Sequence, residues 1–154
     1  MADQVLSRLK APAAREAGRR EQQTRKVALL MRGLAGDIRG DLLKAIAESD
    51  PEAGSAIQEA MVTWGDIVSI SDRSLQEFMR STESKKLALA LVGAAPATVK
   101  KFRTNMSERA IALLEEEMSL LASPKAADIA QAREALLKDL RELNTNNMLS
   151  FEEG

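Results

Sequence analysis

Cysteine, histidine and tyrosine are absent from the 154 residues, and aromatics make up only 3% of the chain. Without cysteine there is no disulfide and no thiol nucleophile. Without histidine there is no imidazole base and none of the commonest zinc or haem ligands. An enzyme would be confined to carboxylates, lysines and hydroxyls. The signatures that position such groups are missing too: no phosphate-binding loop, dinucleotide fingerprint, nucleophile elbow or calcium loop. The composition therefore points away from catalysis and cofactors. With so few rings for base stacking, nucleic-acid binding is not expected either.

Long apolar runs are also lacking. The longest, LALALVGAA from Leu87 to Ala95, is far short of the roughly 20 residues that span a bilayer. The N-terminus has no apolar signal-peptide core. The expected compartment is the cytoplasm, with membrane contact only peripheral.

What is present suits a helical globule. The chain is 45% hydrophobic and 29% charged, and Leu, Ala, Glu, Lys and Met, which favour helix, dominate. The formal net charge of −1 hides an asymmetry: residues 1–26 hold seven Lys/Arg against three Asp/Glu, leaving 15 against 20 in the rest. Residues 1–20 have weak periodicity and read as a flexible basic arm or frayed helix, either solvated or attracted to acidic lipid.

From Glu21 the pattern becomes a series of short amphipathic helices. Val27, Leu30, Met31 and Leu34 follow helical spacing, with Gly36 as a stop. Ile38, Leu42 and Ile46 mark a second helix. Asp50 as N-cap and Pro51 at the first position open a third, with Ile57, Met61 and Trp64 inward. Three such helices over residues 21–64 suggest one armadillo-type unit, a fold that stacks on a neighbour to complete its core. A hinge-like break at Trp64-Gly65 precedes a bundle of five or six helices over residues 65–154. In it Leu75, Phe78 and Met79 face inward, Ser81 or Thr82 caps the next helix, and Gly93 ends it. Ile129, Ala132, Leu136, Leu140 and Leu143 line the last helix. The fold class is all-α.

One helix carries unusual charges. Ser107 caps a segment in which Ala110, Ile111, Leu114, Met118 and Leu121 share an arc. Arg109 and Glu116 lie two turns apart on the other side, about 10 Å along the axis. Neither has an opposite charge three or four residues away, where a helix-supporting pair would sit. They are either an ordinary solvated face or a linear display for a partner. Glu117 leans towards apolar surface, so a cation from elsewhere meets it or the helix lies at the bundle edge. Glu115, Glu116 and Glu117 diverge by about 100° per residue and cannot converge on one metal ion.

The words DRSLQEF (Asp72 to Phe78), KKLALALVGA (Lys85 to Ala94) and KKFRTNMSERA (Lys100 to Ala110) resemble the C-terminal domain of FliG, the flagellar rotor switch protein. AESDPEAGSAIQEAMVTWGDI resembles the end of that domain's armadillo subdomain running into its hinge. The resemblance extends without a gap from about Val27 to the last helix. It implies an armadillo-like three-helix subdomain, a short hinge and a six-helix bundle whose charged ridge meets the cytoplasmic loop of a MotA-like stator. It places the ridge on Arg109, Glu116, Glu117 and Lys125, and the hinge on Met61, Val62, Thr63, Trp64 and Gly65. It also implies FliM-like switch proteins and neighbouring FliG-like subunits as partners, in the basal body at the inner membrane.

Several positions depart from the family pattern. Val92 stands where the family has a ridge lysine, Val62 replaces the first hinge Phe, and Ser123-Pro124 replaces Gly-Pro. The Glu-His-Pro-Gln word that binds FliM is absent. The expectation is therefore either a fragment or a stand-alone FliG-like protein. A paralogous scaffold or regulator outside torque generation is the alternative. The cytosolic helical domain of MgtE magnesium transporters is broadly similar.

Overall fold

A computed structural model describes the backbone of residues 2–152 and the side chains of residues 15–152. The fold is all-α, and the chain divides into two compact units, Met1–Met61 and Val62–Gly154. The division falls inside the segment expected as the hinge.

The first unit contains α1 (Ala2–Arg32), α2 (Gly36–Ser49) and α3 (Pro51–Ala60). The segment read as an arm is the first part of α1, continuous with the rest, since it is rich in the Ala, Arg and Leu that favour helix. Gly36 opens α2 rather than ending α1, which stops at Arg32. Asp50 caps α3 as expected, accepting from the Ala53 amide at 3.2 Å, with Pro51 at the first position.

The face that α1 buries is not the one its largest apolar residues mark. Ala28 and Met31 are buried, whereas Val27, Leu30 and Leu34 are exposed, Leu30 at 75%. Arginine decides the orientation. Arg25 donates to the Ala60 carbonyl and Arg32 to the Met61 carbonyl at 3.1 Å, both at the C-terminal end of α3. Helix C-termini leave carbonyls without intrahelical donors and carry partial negative charge, so two guanidiniums spaced seven residues apart satisfy both needs. The small Ala28 between them allows α1 to lie close to α3. Ile38 and Leu42 of α2 are likewise exposed, and α2 buries no residue fully.

Gly54 fixes the approach of α3 to α2. A Cβ there would lie 2.9 Å from both Cα and Cβ of Ala47. Gly54→Ala gains about 1 kcal/mol of helix propensity but forces backbone apart, an overpacking cost of about 1–3 kcal/mol. A net loss of stability is expected, read as a lower urea midpoint by circular dichroism.

The second unit begins with a 3-10 helix (Trp64–Ser69), followed by α4 (Asp72–Arg80), α5 (Ser84–Ala90), α6 (Pro96–Thr104), α7 (Glu108–Ser119) and α8 (Ala126–Thr145). α5 packs against both α7 and α8. The seam between α5 and α8 is aliphatic, with Leu136 and Leu140 of α8 and Ala88 and Ala90 of α5 fully buried, while Phe78 of α4 and Phe102 of α6 are buried in the same unit. Neither Ser81 nor Thr82 caps α5. Both hydroxyls donate to the Phe78 carbonyl at the end of α4 instead, at 3.3 and 2.9 Å, and Glu83 holds the cap position. Gly93 ends the α5 turn with φ of +69°, a left-handed conformation that disfavours a side chain.

The C-terminal tail returns to the start of this unit. Ile70 and Phe151 form an isolated antiparallel bridge, and the Ser71 amide donates to the Ser150 carbonyl at 2.9 Å. Lys101 lies 3.0 Å from Asp72 and 3.7 Å from Glu152, joining α6, α4 and the tail. The Asn105 amide donates to Asp72 at 2.9 Å, and that bond, followed by the one from Lys101, holds the Asp72 carboxyl below its ordinary value of 3.8. A depressed folded-state pKa stabilises the fold above the unfolded value and is lost as pH falls through the folded one. The urea midpoint of the wild type should therefore exceed that of Asp72→Asn at neutral pH. The gap should close on acidification from about pH 4 downwards.

Candidate charged interface

α7 starts where the sequence places it. Ser107 accepts from the Ala110 amide at 3.1 Å. Leu114 is buried, while Ile111 and Met118 are half-buried beside it, so the arc expected to face inward does so. That orientation leaves Arg109 and Glu116 exposed on the outer side. Lys125 is exposed at the position before α8, directly after Pro124. Glu117 is half-buried.

The three consecutive glutamates have different circumstances. Glu115 pairs with Arg103 of α6 at 2.6 Å. Among the described residues, the side chains of Glu116, Glu117, Arg109 and Lys125 take part in no ion pair and no hydrogen bond, although the Glu116 backbone carbonyl accepts from the Ser119 hydroxyl at 2.7 Å. No cation from elsewhere meets Glu117, which leaves it at the edge of the bundle. Among the described residues no acidic cluster is arranged to hold a metal ion. None of the helices there is long and apolar enough to cross a membrane.

Val92, where a family lysine is expected, is half-buried, and its backbone carbonyl accepts from Arg133. Charges of both signs line a groove of about 550 Å³ beside Pro124, formed by Glu83, Lys85, Lys86, Leu89, Leu121 and Asp128. Sequence reasoning missed this groove because it joins residues from α5, α8 and the loop between α7 and α8.

The segment expected as a hinge is well anchored at its second-unit end. Met61 and Val62 are buried, Thr63 and Trp64 half-buried, and Gly65 exposed. The Asp66 carboxylate accepts from the Thr63 amide at 2.8 Å and the Thr63 hydroxyl at 2.9 Å. Arg141 of α8 donates to the Val62 carbonyl at 3.1 Å, and Arg133 of α8 lies 5.0 Å over the Trp64 ring.

Two relatives of this chain are flagellar motor switch proteins by name. The chain is 32% identical over 143 residues to the flagellar motor switch protein FliG of Aquifex aeolicus, covering 93% of this chain and 43% of the relative. To that of Thermotoga maritima it is 30% identical over 116 residues, 75% and 35% of the two chains. It thus spans less than half the length of either relative. The structure of full-length FliG from Aquifex aeolicus superposes with a TM-score of 0.70 at 31% identity, over 92% of this chain and 44% of that one. A crystal structure of residues 116–343 of FliG from H. pylori does so with a TM-score of 0.61 at 28% identity, over 82% and 56%. The family profile described as the FliG C-terminal domain matches residues 44–151, and the chain belongs to that family.

Proposed function

We propose that this chain serves a flagellar rotor as the part that meets the stator, with the outer face of α7 as the contact surface. One observation carries the reading. Among the described residues, the side chains of Arg109, Glu116, Glu117 and Lys125 have no charged partner, while Glu115 and Lys101 are paired. Unpaired charges of opposite sign along one line of α7, Arg109 and Glu116, can orient a complementary partner. The family likeness supports the cytoplasmic loop of a MotA-like stator protein as that partner, and with it a location at the cytoplasmic face of the inner membrane. A contact that transmits torque must form and break repeatedly. Exposed ion pairs of about 0–1 kcal/mol each suit that duty, and their pattern contributes specificity and encounter rate more than affinity.

The first unit supports a second set of partners in the same assembly. Val27, Leu29, Leu30, Leu34, Ile38 and Leu42 are all exposed, more apolar surface than a self-sufficient unit ordinarily leaves in water. An armadillo-type unit completes its core against another. A neighbouring FliG-like subunit or a FliM-like switch protein is the reading that suits these residues, and residues Met61 to Gly65 act as the joint.

A paralogous role as scaffold or regulator has one observation in its favour, the Val92 that replaces a ridge lysine. Deleting the gene and scoring flagellation and swimming separately distinguishes the two. Flagellated but paralysed cells match torque generation, whereas unaffected cells match the paralogue.

Charge reversal at Arg109→Glu or Glu116→Lys should impair swimming in soft agar while changing stability by less than about 0.5 kcal/mol, as is usual for exposed sites. Normal motility from the doubly reversed protein would contradict the ridge reading. Leu30→Asp should leave the melting temperature unchanged yet weaken recovery of other switch proteins in a pull-down.

A further inference from the structure

Arg133 of α8 is a half-buried guanidinium that, among the described residues, pairs with no carboxylate. Its Nε donates to the Ala90 carbonyl at 2.8 Å and its Nη2 to the Val92 carbonyl at 2.9 Å. Its Cζ lies 5.0 Å over the ring of Trp64, the only tryptophan in the chain. The cation is thus neutralised by two kinds of partial negative charge. One is the carbonyl end of α5, where the helix dipole is negative. The other is the face of an indole ring.

These two acceptors belong to segments far apart in sequence. Trp64 opens the 3-10 helix at the start of the second unit, and Ala90 and Val92 close the helix on which α7 packs. Only a planar fork can give two parallel donors to one helix end while presenting its flat face to a ring, so lysine cannot reproduce the arrangement. Arg141, eight residues on, binds the Val62 carbonyl and is held by Glu134 at 2.7 Å. The entry to the unit is therefore fastened to α8 twice, and Arg133 also fastens the end of α5.

We propose that Arg133 is a latch, so that the entry segment at Trp64 and the C-terminal end of α5 open and close as one. It is a positioning residue, linking the point where the chain enters the second unit to the support of the charged helix. The latch stands on geometry alone and does not rest on the flagellar reading.

Hydrogen exchange of the full chain tests it, with Trp64 fluorescence as a second readout. The probes at the entry are the amides of Asp66 and Ile70, bonded to Thr63 and Ile67. Those at the far end are Val92 and Ala94, bonded to Leu89 and Leu91. Ile111, bonded to Ser107 in α7, is the control. Arg133→Lys keeps charge and bulk. It should quicken exchange at both ends about tenfold, the scale of a lost charge-assisted hydrogen bond and ring contact. It should also shift Trp64 emission to the red and raise its quenching by acrylamide. Trp64→Leu should quicken Val92 and Ala94 by a similar factor, although neither amide bonds to the ring. If Trp64→Leu leaves those amides unchanged, if Arg133→Lys affects one end only, or if Ile111 rises equally, the latch is refuted.

Discussion

The aliphatic seam between α5 and α8 is the contact on which the second unit depends. Leu136 and Leu140 on one side and Ala88 and Ala90 on the other are all fully buried. Neither α5 nor α8 carries an aromatic residue, and the seam is built from leucines and from alanines small enough to bring the backbones close. α5 is only seven residues long, too short to be stable alone. Its helicity comes from being gripped by α7 and α8 and, at its end, by Arg133.

That seam also explains which charges are free. Packing turns the apolar arc of α7 onto α5, so the opposite arc must face water. Charges within reach of another helix or turn find partners: Arg103 of α6 with Glu115 of α7, Lys101 of α6 with Asp72 of α4, and Arg141 with Glu134 two turns away on α8. Those on the outermost line of α7 find none. The unpaired state of Arg109 and Glu116 is thus a result of how the bundle is built. It is also what a surface for an external partner requires.

Much of this was legible in the sequence where a local rule decides the outcome. Ser107 and Asp50 cap their helices, Gly93 terminates one, and the inward arc of α7 follows from spacing alone. The charged face was visible for the same reason, because the missing intrahelical partners can be counted along the chain. Orientation of α1 was not legible. The bulky apolar positions Val27, Leu30 and Leu34 mark one face, but Arg25 and Arg32 turn another face towards the carbonyl end of α3. Caps for α5 were misread because Ser81 and Thr82 serve the helix behind them. Pairings between distant segments, such as Arg133 with Trp64, leave no trace in local periodicity.

The central claim is that the outer face of α7 is covered by a partner when the motor is assembled. The chain contains no cysteine, so a single introduced cysteine reports unambiguously on its own position. Ala112 is exposed on the same side as Arg109 and Glu116, and Ala97 is exposed on α6. Maleimide labelling of Ala112→Cys and Ala97→Cys should be compared in cells with and without the stator. Protection of position 112 alone, and only when the stator is present, is the predicted result. Equal labelling of position 112 in both kinds of cell would contradict the account.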